Sequence, residues 1–134
     1  TLKEVDRKRL LAFEMKCYRQ IMRVSWRNKI TNDSIRRYLS REYTIIETFK
    51  RRKLQLFGHI CRMDDRRLLK SIMLGTVDGS RPRGRPARRW SDDIVAWTEH
   101  SLLVPEIVHM ASDRNTWHQM VEDVVIGLYG STGL

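Results

Sequence analysis

The stretch Ser80 to Trp90, SRPRGRPARRW, restricts the fold more than any other part of this 134-residue chain. Pro82 and Pro86 fix φ and lack a backbone N–H, which keeps both out of helix interiors and central strands. Gly84 has no Cβ to hold a backbone away from a surface. Arg81, Arg83, Arg85, Arg88 and Arg89 repel one another unless something neutralises them. The segment is therefore expected to be extended and to divide the chain. Residues 1–79 are read as a basic helical subdomain, 80–90 as an Arg-rich loop, 91–128 as acidic C-terminal helices and 129–134 as a tail.

Arginine is a planar, permanently charged fork suited to phosphates and base edges. Arg83-Gly84-Arg85-Pro86, preceded by Arg81-Pro82, matches the core of an AT-hook, in which glycine permits close approach and arginines enter a narrow minor groove. The plainer alternative is a solvated linker kept soluble by its charge. The charge balance favours a polyanion: Lys and Arg outnumber Asp and Glu by 26 to 16, a net charge of +10. Its distribution is uneven. Residues 1–63 hold 17 basic and 6 acidic groups, 64–90 hold 8 and 3, and 91–134 hold 1 and 7. The first two-thirds are expected to face nucleic acid.

Helical periodicity runs through most of the remainder. Leu11, Met15, Tyr18 and Met22 recur at helical spacing within 3–24, with Arg7, Lys8, Lys16, Arg19 and Arg23 on the other face. Thr31 to Ser34 offer N-caps for a short helix through Ile35, Tyr38 and Leu39, and Trp26 is expected to anchor the core rather than to serve as a base-stacking platform. From Ile45 to Met63, a face of Ile46, Phe49, Leu56, Phe57 and Ile60 predicts a long helix. Lys50-Arg51-Arg52-Lys53 encircles one of its turns, with Lys53 expected to snorkel to solvent. A shorter helix uses Leu68, Leu69, Ile72 and Met73 and ends at Gly75. After the loop, Ser91 can cap a helix with Asp92 and Asp93 in its first turn, and Trp90, Ile94 and Trp97 share its inner face as structural anchors. Pro105 opens a further helix. Asp113 or Ser112 caps the last, whose stripe is Trp117, Val121, Val124 and Leu128. No convincing strand or hairpin pattern appears. The expected fold is all-α, a small domain of about five to six helices with an extended Arg/Pro/Gly loop and no sheet.

Catalytic and metal signatures are weak. Met63-Asp64-Asp65 has the order of a polymerase metal site, but such carboxylates need a strand turn and a third acidic partner, and here they fall between helices as caps. His59 and Cys61 point about 200° apart on a helix, so they cannot share a metal. His100, His109 and His118 have no recognised ligand spacing. No nucleophile triad, P-loop or dinucleotide fingerprint is present. No catalytic residue, metal or cofactor is therefore expected, and this chain alone is not read as an enzyme. Cys17 and Cys61 suit a reducing compartment, no apolar run is long enough to span a membrane, and a chain beginning at Thr1 is expected to be a piece of a longer one.

The order of these blocks resembles the C-terminal region of non-LTR, LINE-type retrotransposon reverse transcriptases, the RTE-like lineages best of all. The similarity covers about residues 7–125. Its most specific parts are KRRKLQLFGHICRMDDRRLLKSIMLG at 50–75 and RPRGRPARRWSDDI at 81–94, with RNTW at Arg114 to Trp117. The resemblance implies an accessory region downstream of a polymerase and an endonuclease, holding RNA template or target DNA in an intracellular, nuclear setting. The family's basic block falls on Arg81, Arg83, Arg85, Arg88 and Arg89, with Gly84 between them, and its aromatic on Trp90. Lys50, Arg51, Arg52 and Lys53 extend the expected contact. Partners implied are DNA or RNA and the upstream polymerase domain, with no membrane. The Cys/His knuckle of other LINE lineages has no counterpart, leaving arginine and lysine as the contacts. Two rival readings are a free-standing or domesticated AT-hook-like DNA-binding module and a helical protein-interaction domain.

Overall fold

A computed structural model of the chain describes residues 2–75, 89–98 and 104–127. Seven α-helices and one 3-10 turn lie among these residues, with no strand. The fold is all-α, with somewhat more helices than periodicity suggested. Two compact units meet in sequence at Lys50 and Arg51.

In the first unit, α1 spans Glu4–Ile21, with Glu4 and Asp6 in its first turn and Arg19 in its last, each favourable to the helix dipole. Met15 is buried, and Leu11, Tyr18 and Met22 are half-buried, the face that the sequence spacing predicts. The helix stops at Arg23, which takes a left-handed φ of 53° while its N–H donates to Gln20 and that of Val24 to Arg19. These two bonds satisfy carbonyls that the helix end would otherwise orphan. A 3-10 turn at Trp26–Asn28 follows, then α2, Asn32–Tyr38, whose N-cap Thr31 accepts from Ser34 N at 3.2 Å. Ser40, at φ 51°, closes α2 by the same pair of backbone bonds to Arg37 and Arg36. Ile35 is fully buried. Trp26, by contrast, is 78% exposed, so it is not the core anchor expected of a tryptophan.

Glu14, buried on α1, organises this unit. Its Oε1 accepts from Tyr18 Oη at 3.1 Å and from Ile45 N at 2.8 Å. The carboxylate thus meets the positive end of α3, Ile45–Cys61. Burial and that carboxylate hold the Tyr18 phenol above its ordinary pKa. Arg36 Nη2 stands 3.6 Å from Glu14 Oε2, an ion pair without a hydrogen bond. Thr44 and Glu47 add a capping box: Glu47 N donates to Thr44 Oγ1 at 3.3 Å, and Thr44 N donates to the Glu47 carboxylate.

The second unit comprises the rest of α3, α4 (Leu68–Leu74), α5 (Asp92–Thr98), α6 (Val104–Ser112) and α7 (Arg114–Val125). Its core joins Leu54, Phe57 and Ile60 of α3 to Ile94, Ile107, Trp117 and Val121. Leu56 and, in the first unit, Phe49 remain well exposed, so the inner face of α3 is narrower than the apolar residues alone suggested. Trp117 is 2% exposed and donates its indole N–H to Leu54 O at 3.0 Å. Gly58 allows this: a Cβ there would land on Trp117 Nε1 and Cδ1, well inside van der Waals contact. Among the described residues the α4 stripe has no such partner. Leu68 and Ile72 are 73% and 65% exposed, and Gly75 ends the helix in extended rather than left-handed geometry. Asp113 caps α7 by accepting from Asn115 N at 2.9 Å and Thr116 Oγ1 at 2.7 Å. Gly127, at φ 81°, follows its last turn. Cys61 is buried, its thiol pushed up to about 11 by desolvation, and both cysteines are free.

Two outcomes are expected. Gly58→Ala gains helix propensity of roughly 1 kcal/mol but forces the Trp117 indole aside, an overpacking cost of about 1–3 kcal/mol. Urea unfolding should show a net loss of stability, whereas Gln55→Ala, on the exposed side of the same helix, should shift the midpoint little. The second concerns acid. Hydrogen bonds from Thr116 and then the Asn115 backbone hold the Asp113 carboxyl below its ordinary pKa. Its contribution is complete above the unfolded-state value and disappears as pH falls through the depressed folded-state value. The gap in thermal midpoint between wild type and Asp113→Ala should therefore narrow on acidification below about pH 4.

Candidate nucleic-acid interface

The run Lys50 to Lys53 shows how one helical turn sorts four adjacent cations. Successive side chains on a helix are rotated by about 100°, so the four cannot share a surface. Lys50 is half-buried, and its ammonium pKa is lowered by that burial and then by the nearby Arg7, against an opposing effect of Glu47. Arg51 turns to α7 and makes a two-nitrogen contact with the Glu122 carboxylate, Nε lying 3.1 Å from Oε1 and Nη2 against both oxygens. Arg52 is exposed. Lys53 is not snorkelling: its side chain is 4% exposed, and Nζ donates to Asp93 Oδ2 at 2.6 Å.

The surroundings of Lys53 explain how a lysine is accommodated in a core. Its Nζ lies 4.8 Å from the ring centre of Trp90 and 5.3 Å from that of Trp97. Both indoles present polarisable faces to the cation, while Asp93, itself 3% exposed, supplies the counter-charge. Phe57 continues the cluster, 6.4 Å from Trp90 and 5.5 Å from Trp117 between ring centres. The sequence places Asp93 in the first turn of a helix, and it does occupy that turn of α5. Its larger role, pairing with a residue 40 positions earlier, leaves no local trace in sequence.

Arg89 is exposed at the end of the Arg-rich stretch. Its N–H donates to Asp92 Oδ2 at 2.7 Å, and Asp92 N returns a 3.3 Å bond to Arg89 O. This local turn, with Trp90 and Asp93 just beyond it, fixes where the stretch joins the folded unit. Arg81, Arg83, Gly84, Arg85 and Arg88 lie outside the described residues. Asp64 and Asp65 are engaged locally: Asp64 Oδ1 accepts from Arg66 N at 2.8 Å, and Asp65 pairs with Lys70 at 2.7 Å. That pairing holds the Asp65 carboxyl below its ordinary pKa, through the hydrogen bond first and the ammonium charge second.

A cationic cleft that sequence reading missed opens between α3 and α7. It has a volume of about 290 Å³ and is lined by His59, Arg62, Arg114 and His118 around the edge of Trp117. Arg62 is held there by donating to Ala111 O at 2.6 Å. Its residues lie more than fifty positions apart in sequence and are brought together where Trp117 packs against Gly58 and donates to Leu54 O. Among the described residues no group of three His, Cys, Asp or Glu side chains is arranged to hold a metal. No described helix is long and apolar enough to cross a membrane. No family model, curated protein or solved structure matches the chain.

The buried pair yields a prediction. Asp93→Ala leaves the Lys53 ammonium desolvated and should cost about 3–5 kcal/mol in urea unfolding. Lys53→Met with Asp93→Leu removes both charges and should recover most of that loss, because neither partner is then stranded. A double variant no more stable than Asp93→Ala would show that the ion pair is not the source of the loss.

Proposed function

We propose that this chain is a non-catalytic nucleic-acid-binding C-terminal domain of a retrotransposon-type reverse transcriptase, holding RNA template or target DNA. The parent protein in this reading is an RNA-directed DNA polymerase with an endonuclease. Support comes from the blocks at 50–75 and 81–94, and from one structural observation: internal ion pairs use up a few charges of each sign, and a set of exposed cations is left without a paired carboxylate among the described residues. Glu14, Asp93 and Glu122 pair with Arg36, Lys53 and Arg51, all in partly or fully buried settings. Lys8, Lys16, Arg23, Arg52 and Arg89 are exposed, and no ion pair joins them to a carboxylate among the described residues. Such a surface attracts a polyanion and is stabilised by neutralisation.

Contact in this reading falls to the Arg-rich stretch, ending at Arg89, and to Arg52. Lys53 is closed off by Asp93, and Arg51 is held by Glu122. The protein-interaction alternative draws on a different observation, the exposed Leu68, Leu69 and Ile72 of α4.

The two separate by salt. Each phosphate contact on duplex DNA contributes about −0.9 to the slope of log K against log salt, and on a single strand about −0.7. Wild-type chain titrated against duplex DNA, RNA and an RNA–DNA hybrid should give steep slopes, and Arg52→Ala should flatten them by roughly one contact without changing the thermal midpoint. Binding that ignores salt, or none at low salt, would sink the nucleic-acid reading.

A further inference from the structure

The strongest unassigned feature lies in the first unit, where Trp26 stands in solvent beside a cationic groove. Trp26 is 78% exposed although large aromatic residues usually bury most of their surface. The groove has a volume of about 620 Å³ and runs along α1 from Met15 through Lys16, Arg19 and Arg23 to Val24 and Trp26. No acidic residue lines it among the described residues. Its lining sets apolar Ala12, Met15, Val24 and Trp26 beside the cations Lys16, Arg19 and Arg23.

The backbone holds the indole in this outward position. Trp26 opens the 3-10 turn, and Ser25 Oγ caps that turn by accepting from Arg27 N at 3.3 Å. Arg23 and Lys29, on either side, both adopt left-handed φ, 53° and 50°, a conformation that side chains other than glycine seldom take. The Arg27 guanidinium sits 5.8 Å from the Trp26 ring centre, leaving a cation beside the exposed indole. Arg19 is immobilised at the groove by donating Nη2 to Ile30 O at 3.0 Å and Asn32 Oδ1 at 2.9 Å. Lys16 and Arg23 are exposed, with no carboxylate paired to them among the described residues. Flat apolar surface next to fixed and flexible cations suits a ligand that is itself flat, apolar on its face and anionic along its edge.

We propose that Trp26 and the groove of Lys16, Arg19 and Arg23 form a binding site for single-stranded nucleic acid, in which an unpaired base stacks on the Trp26 indole and its phosphates follow the cations. The inference rests on the nucleic-acid reading above and deepens it, because it selects the strandedness of the polymer. A duplex keeps its base faces inside the stack and has nothing to lay on an exposed indole, whereas a single strand offers a π-face at every nucleotide. An apolar protein segment would leave the cations of the groove without counter-charge and is the less favoured occupant.

The test uses the full chain and short oligouridylate, oligothymidylate and a mixed-sequence duplex as probes, with binding followed by fluorescence anisotropy. Trp26→Ala should weaken single-strand binding by about 5- to 150-fold, the range for loss of one stacked base, and leave duplex affinity unchanged. Trp26→Phe should recover much of the loss by restoring a ring, and unchanged helicity in both variants will show that the fold persists. Photocrosslinking of an iodouridine-bearing strand to the wild-type chain should give an adduct at Trp26, a readout that needs no variant. If the wild-type chain binds single strands and Trp26→Ala binds them equally well, this site is wrong while the nucleic-acid reading stands. If the wild-type chain binds none of the probes, both fall. If instead Trp26→Ala abolishes a wild-type dimer in sedimentation and leaves single-strand affinity intact, the groove is an interface between copies of the chain, and the proposal is overturned.

Discussion

Lys53 and Asp93 form the contact on which the second unit depends. Removing an ammonium and a carboxylate from water costs several kcal/mol for each ion, and mutual attraction offsets that only when geometry is good and surrounding dipoles help. Here the separation is 2.6 Å, and two indole faces flank the cation. The pair draws α5 onto α3 and thereby brings Trp90 against Phe57. It also sets the rotation of α3 in this unit. With Lys53 inward, Arg51 reaches Glu122 and Arg52 points to solvent, so a core interaction decides which cation of the run is available to a ligand.

A buried charge plays a comparable part in the first unit. Glu14 accepts from a helix N-terminus and a phenol while facing Arg36. A neutral residue of similar size could fill the space but could not meet the positive end of α3, where a carboxylate is stabilised by backbone N–H groups and the helix dipole together. In both units, then, acidic residues act as internal connectors.

Much of the helical framework was legible. Apolar spacing marks α1, α3 and α7, and the caps Thr31 and Asp113 fall among the candidates Thr31 to Ser34 and Ser112 or Asp113, because a short side-chain oxygen before an apolar-periodic run has a local task. The shared face of Trp90, Ile94 and Trp97 followed from spacing alone. What escaped notice depended on partners distant in sequence. Lys53 falls in an apolar stripe, and a stripe reading assigns a lysine to solvent unless its counter-ion is known. Trp26 was assigned to the core on average behaviour, but its position is set by two left-handed residues that sequence does not advertise. Gly58 did carry a readable signal: a glycine inside a strongly periodic helix costs stability unless something approaches closely, and here Trp117 does. The arginines from Arg81 to Arg88 fall outside the described residues, and so does any test of their geometry.

Internal pairing changes where charge sits without changing how much there is. The chain retains a net charge of +10 however its core is wired, and each internal pair withdraws one carboxylate and one cation together, so the positive excess stays with the remaining groups. Self-repulsion among exposed cations opposes the compact state, and solution ions relieve it only diffusely. A polyanion relieves it at close range, and its own condensed counterions are released in the process, an entropic gain available whatever the base sequence. Base sequence and strandedness must then be read by something other than charge. In the proposed nucleic-acid reading, a feature among the described residues suited to distinguishing an open strand from a closed duplex is the Trp26 indole, which the fold keeps out of its own core.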